Sequence, residues 1–163
     1  MHAKDAILQS INVADMVMDK YLTDLPESAL FVRPVAGMNH IAWQLGHLIS
    51  SERSFIEAVK PGSCPALPEG FDAKYKKETT EIDDPTQFHS KAEYLALWKA
   101  QRAATKAALE SLSEADLDAP SPESIRSFAS TVGLTFNLTG LHPLMHVGQF
   151  VAVRREQKLP VVF

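Results

Sequence analysis

The chain has 163 residues, 45% apolar and 22% charged, and its 20 acidic against 16 basic side chains leave a net charge of −4. That length suits one domain, residues 1–163, with one substantial core, and the apolar share excludes a disordered chain. The acidic balance gives no basic face for a phosphate backbone, so no nucleic-acid partner is expected.

Met1 to Asp5 runs directly into charged amphipathic sequence without the apolar stretch of a signal peptide, and no segment approaches the roughly 20 apolar residues of a membrane span. With the single cysteine, Cys64, no intrachain disulfide forms, and a cytoplasmic protein with no membrane partner is expected. From Lys4 to about Thr23, apolar residues at Ile7, Ile11, Ala14, Met18, Tyr21 and Leu22 make one face of a first helix. Pro26 and Pro34 interrupt the pattern. A second periodic run follows from about Met38 to Val59 and ends at Pro61-Gly62.

Residues 60–86 are rich in Pro, Gly and charge without a convincing period, and read as a long surface connection. Loops of that length are either rims or lids of sites or plain crossovers between distant helices. Ser90-Lys91-Ala92-Glu93 is a capping-box pattern that opens a third helix, carried by Leu95, Trp98, Leu109 and Leu112 to about Ser113. Ser113 to Ile125, with Pro120 and Pro122, reads as an irregular link. The last helix starts after Thr131 as N-cap and runs to about Gln157, although Val132, Leu134 and Phe136 would also suit a short strand. The fold class is therefore all-α, a four-helix bundle with long connections.

The six histidines carry the functional information. His142 and His146 stand four apart on one helix, so their rings lie on one face about 5–6 Å apart, a span one metal ion can bridge. His47 sits in the apolar run Trp43-Gln44-Leu45-Gly46-His47-Leu48, where an unpaired imidazole would cost on the order of 1–3 kcal/mol, so it needs a partner. Facing helices of a bundle lie about 8–10 Å apart, which lets His47, His142 and His146 converge as three metal ligands. The rival reading makes them hydrogen-bonded core histidines. Imidazole donors favour a transition-type ion, zinc first and nickel next, and three protein ligands leave a position open. Gly46 would let another helix or a ligand approach closely.

His40, Gln44, His47 and Ser51 recur on one face of the second helix. His40 lies about 10 Å along the axis from His47, too far for the same ion, so it is expected to line a substrate pocket or to mark the helix start. Gln44 and Gln149, each one turn from a ligand candidate, would orient water or substrate or serve as ordinary bundle contacts. His2 and His89 lie at element ends and show no partner pattern. No side chain is singled out as the catalytic one.

Leu30-Phe31-Val32-Arg33-Pro34, Asn39-His40-Ile41-Ala42-Trp43-Gln44-Leu45-Gly46-His47-Leu48 and His142-Pro143-Leu144-Met145-His146-Val147-Gly148-Gln149, followed by Arg154-Arg155, resemble the DinB-like superfamily, which includes bacillithiol and mycothiol transferases. The resemblance implies an up-and-down-related four-helix bundle, ligands at His47, His142 and His146, zinc or nickel, and frequently a homodimer. It also implies a metal-dependent S-transferase or hydrolase acting on a small electrophilic molecule, with a low-molecular-weight thiol as a further cofactor. The alternative is a non-catalytic stress-response bundle whose ion is structural. Many relatives carry Glu where this chain has Pro143, and chemistry of the His-Glu-x-x-His type needs that carboxylate. Proline within a helix also removes a backbone hydrogen bond and favours a kink.

Overall fold

A computed structural model describes residues 2–163. Its helices are α1 (Ala3–Thr23), α2 (Ile41–Val59), α3 (Lys91–Glu110), α4 (Glu114–Asp118) and α5 (Val132–Glu156), and no strand occurs among the described residues. The architecture is an all-α bundle of four long helices, with α4 as a single extra turn. α1 buries Ile7, Ile11, Ala14, Met18 and Leu22, the face expected from their spacing, while Tyr21 is only half-buried. α2 begins at Ile41, three residues later than its periodicity suggests, because His40 is its N-cap and the ring Nδ1 accepts the Trp43 N–H at 3.1 Å. The Ser90–Glu93 capping box opens α3, which ends at Glu110, short of Ser113.

α4 corrects the irregular link expected after Ser113. The Ser113 hydroxyl accepts the Asp116 N–H at 3.2 Å, and the Asp116 carboxylate accepts the Ser113 N–H at 2.7 Å. Asp in the third position thus completes the same reciprocal cap that Glu supplies in α3. Val132, Leu134 and Phe136 are helical, with Thr131 as N-cap accepting the Leu134 N–H.

Two apolar clusters fill the bundle. One joins Ile7, Ile11, Ile56, Leu109 and Phe136; the other joins Met18, Leu45, Ile49, Tyr94, Val147 and Phe150. The start of α1, the end of α2, the end of α3 and the start of α5 therefore share one end of the bundle. α2 and α3 run parallel, so the chain between them must travel back along a helix of 19 residues, about 28 Å. This is the physical reason for the long connection. It is a crossover that turns through short 3₁₀ segments at Asp72–Tyr75, Lys77–Thr79 and Pro85–Gln87 and buries Phe71 and Tyr75 on the way.

Between the two clusters lies a layer of buried charge. The Arg102 guanidinium, 3% exposed, donates to Asp15 at 2.6 Å, to Glu52 at 2.7 Å and to the backbone carbonyls of Ile11 and Thr139 at 2.9 and 2.7 Å. Thr105 donates to the other Glu52 oxygen at 2.5 Å, and Lys106 pairs with the outer oxygen of Asp15. Every long helix contributes to this one group. Pro143 has no N–H to offer the Thr139 carbonyl four residues earlier, and Arg102 takes that carbonyl instead, so α5 continues through the proline. Burial pushes the Glu52 carboxyl up, while Arg102 and Thr105 work to hold it ionised.

No helix among the described residues is long and apolar enough to cross a membrane. Removing one partner of a buried ionic network leaves the others desolvated and unpaired. Arg102→Met is therefore expected to lower unfolding stability by about 3–5 kcal/mol in a urea titration, whereas a loss below about 1 kcal/mol would show that the helices hold their positions without the guanidinium.

Candidate metal centre

α2 carries His47 and α5 carries His142 and His146, and the three rings meet where the two helices face each other. Their nearest nitrogens all lie within 4.8 Å of one another, close enough to share one metal ion. Ring centroids stand 5.2 Å apart for His47 and His142, 5.3 Å for His47 and His146, and 4.8 Å for His142 and His146. All three are half-buried. Among the described residues no carboxylate or thiol joins the group.

The donor chemistry suits a transition-type ion. Metal binding requires neutral imidazoles, and burial, reinforced by the neighbouring rings, pulls His142 down to about 4 and His146 to about 3. Burial also lowers His47, against a weaker opposing pull from the Tyr75 backbone. Buried Gln44 meets His146, its Oε1 lying 2.8 Å from Nδ1. Trp43 stacks on His47 with centroids 4.9 Å apart and planes 10° from parallel. The Trp43–His47 stack is an i,i+4 pair within α2 and follows from helical spacing, whereas the Gln44–His146 contact depends on how far α2 is rotated toward α5.

The remaining sequence candidates lie elsewhere. His40 is fully buried as the α2 cap, and its second ring nitrogen donates to the Ile82 carbonyl at 3.0 Å. Because Nδ1 accepts from Trp43, the proton must be on Nε2, and the ring ties the crossover to the start of α2 instead of lining the cleft. Gln149 is exposed and takes part in none of the side-chain bonds around the cluster. His89 has partners after all: its Nδ1 is 2.9 Å from the Tyr75 hydroxyl, which is 2.7 Å from that of Tyr94. Burial pushes both tyrosine hydroxyls above their usual range, Tyr94 to about 12.

A cleft of about 1070 Å³ opens on the His47 side of the cluster. Its lining includes Trp43, His47, Ser51 and Phe55 from α2 and Asp72, Tyr75 and Lys77 from the crossover. The crossover is thus a wall of the cleft as well as a connection. It is pinned at four places. Tyr75 lies flat against Gly46, Trp43 donates to the Thr79 hydroxyl at 3.0 Å, His40 holds Ile82, and Arg33 reaches Asp83 and the Thr80 carbonyl, both at 2.6 Å. The close approach permitted by Gly46 is therefore to an aromatic ring, and a Cβ there would stand 2.2 Å from it.

Residues 11–150 match a family model described as the DinB superfamily. No curated protein matches the chain.

Two measurements follow from this geometry. Gly46→Ala must displace the Tyr75 ring, so a stability loss of about 1–3 kcal/mol and faster tryptic cleavage at Lys74, Lys76 or Lys77 are expected; unchanged melting and cleavage would mean the ring is not seated there. In metal-free protein the unfolded chain takes up protons on His142 and His146 below about 6.5, whereas the folded rings resist them down to about 4 and 3. Folding is therefore fully supported above 6.5 and loses support as the pH falls. Thermal melting of chelator-treated protein should decline between pH 6.5 and 5, with a smaller decline in a His142→Gln, His146→Gln double variant; equal slopes would remove these rings as the cause.

Proposed function

The chain belongs to the DinB superfamily, and from that premise we propose a metal-dependent enzyme in which His47, His142 and His146 hold one divalent ion, zinc first and nickel next. The observation that carries the reading is the open donor set: three imidazoles from two helices with no fourth His, Cys, Asp or Glu in the group among the described residues. A structural zinc site closes with four protein ligands, whereas a catalytic site keeps a position free. The cleft beside His47 supplies room for a small molecule, and Trp43 and Phe55 alternate there with Ser50, Ser51 and Arg53, the mixed lining of small-molecule sites.

The reaction best supported is transfer of a low-molecular-weight thiol to a small electrophile. A divalent ion in such a site supplies Lewis acidity that lowers the pKa of a thiol or water reaching it. The chain's own residues keep the donors neutral by burial, fix His47 by stacking on Trp43, and hold His146 through Gln44. The thiol sulfur would form the new bond to the electrophilic carbon while its proton passes to solvent and the leaving group departs. Hydrolysis of the His-Glu-x-x-His type has less support, because Pro143 occupies the position next to His142 and no carboxylate belongs to the group.

Elemental analysis of untagged protein beside His47→Ala and His146→Ala tests the site. Near-stoichiometric metal in the wild type and little in either variant is expected. Equal traces in all three would end the reading. With metal present, thiol consumption in the presence of alkyl halides or epoxides should rise well above the uncatalysed rate and fall at least 100-fold in His146→Ala. Metal retained without any thiol reaction would leave the ion a structural role.

A further inference from the structure

We infer that Gln44 is a positioning residue that locks His146 in the tautomer whose bare Nε2 faces the other two imidazoles. The Gln44 side chain is wholly buried and has two neighbours. Its Nε2 lies 2.5 Å from the Asn39 backbone carbonyl and its Oε1 lies 2.8 Å from His146 Nδ1. A backbone carbonyl only accepts, so the amide NH₂ must face Asn39. The amide oxygen is left facing His146, and an oxygen there requires a proton on Nδ1. A neutral imidazole carries one ring proton, so Nε2 keeps its lone pair.

His142 Nε2 lies 3.1 Å from that of His146, so the bare His146 nitrogen points into the space the three imidazoles share. His146 thus presents its ligand lone pair without a prior proton shift. Asn39, Gln44 and His146 form a chain from the α2 N-terminus to α5 that fixes the tautomer and ring orientation, as partners of ligand histidines do in metal sites.

The His146 tautomer follows from the Gln44 contacts, and only its consequence for affinity rests on the proposed function. ¹⁵N NMR of histidine-labelled, chelator-treated protein at neutral pH should show His146 protonated on Nδ1. In Gln44→Met, His146 should become a mixture of tautomers and zinc affinity, measured by chelator competition, should fall about 10–100-fold. In Gln44→Glu the second carboxyl oxygen meets the Asn39 carbonyl, an acceptor, so the acid must stay protonated toward Asn39 while its other oxygen accepts from Nδ1; the single His146 tautomer and near wild-type zinc affinity are then expected. Circular dichroism and melting of each variant confirm that it is folded, and the wild-type spectrum decides the tautomer even if a variant is not. His146 protonated on Nε2 in the wild type, or a Gln44→Met protein with unchanged tautomer and zinc affinity, would overturn the inference. Absence of zinc binding by the wild type would instead count against the metal reading and leave the tautomer result to decide the positioning role.

Discussion

A guanidinium placed in the middle of a bundle has to be met by several acceptors at once, because desolvating it without them costs far more than any single contact returns. Arg102 meets this demand with Asp15 and the Ile11 carbonyl on α1, Glu52 on α2 and the Thr139 carbonyl on α5. The acceptors exist only when the four long helices stand in one register, so the group selects that register from the alternatives that an apolar core would accept. Glu52 follows His47 by five residues and Thr139 precedes His142 by three. The bond network thus fixes α2 against α5 within about a turn or two of the place where the imidazoles must meet.

Pro143 takes on a definite role within this arrangement. Its missing N–H frees the Thr139 carbonyl, and that carbonyl is one of the acceptors Arg102 uses. A residue that reads as a weakness in the helix, and as the loss of a carboxylate beside His142, also completes the charged layer of the core.

The stretch from His40 to His47 shows how few residues build the site. His40 caps α2 and holds Ile82; Trp43 stacks on His47 and holds Thr79; Gln44 holds His146; Gly46 leaves room for Tyr75. His40 and Trp43 each brace the helix start or an imidazole on one side and the crossover on the other. The cleft and the histidine cluster are therefore mechanically joined, and a change in the crossover bears on the side of the cluster from which a small molecule would arrive.

The amino-acid sequence determined the elements whose cause is local. The apolar spacing of α1, the Ser90 cap of α3, the Thr131 cap of α5 and the i,i+4 relation of His142 and His146 all follow from backbone geometry within a few residues. The same locality explains the errors. The pocket-lining alternative for His40 continued the polar face of α2 by count, but its backbone is extended and its ring caps the helix, which is the helix-start alternative; Gln149 stayed on the outer side of α5. The short turn of α4 escaped because Asp, not Glu, closes its cap. What only the tertiary structure decided was which side chains face one another across helices: that α2 and α3 run parallel, that the crossover passes over Gly46, that Arg102 reaches all four long helices, and that Gln44 selects the His146 tautomer. Those relations depend on the rotation and separation of elements far apart in the chain, which periodicity along any one helix does not encode.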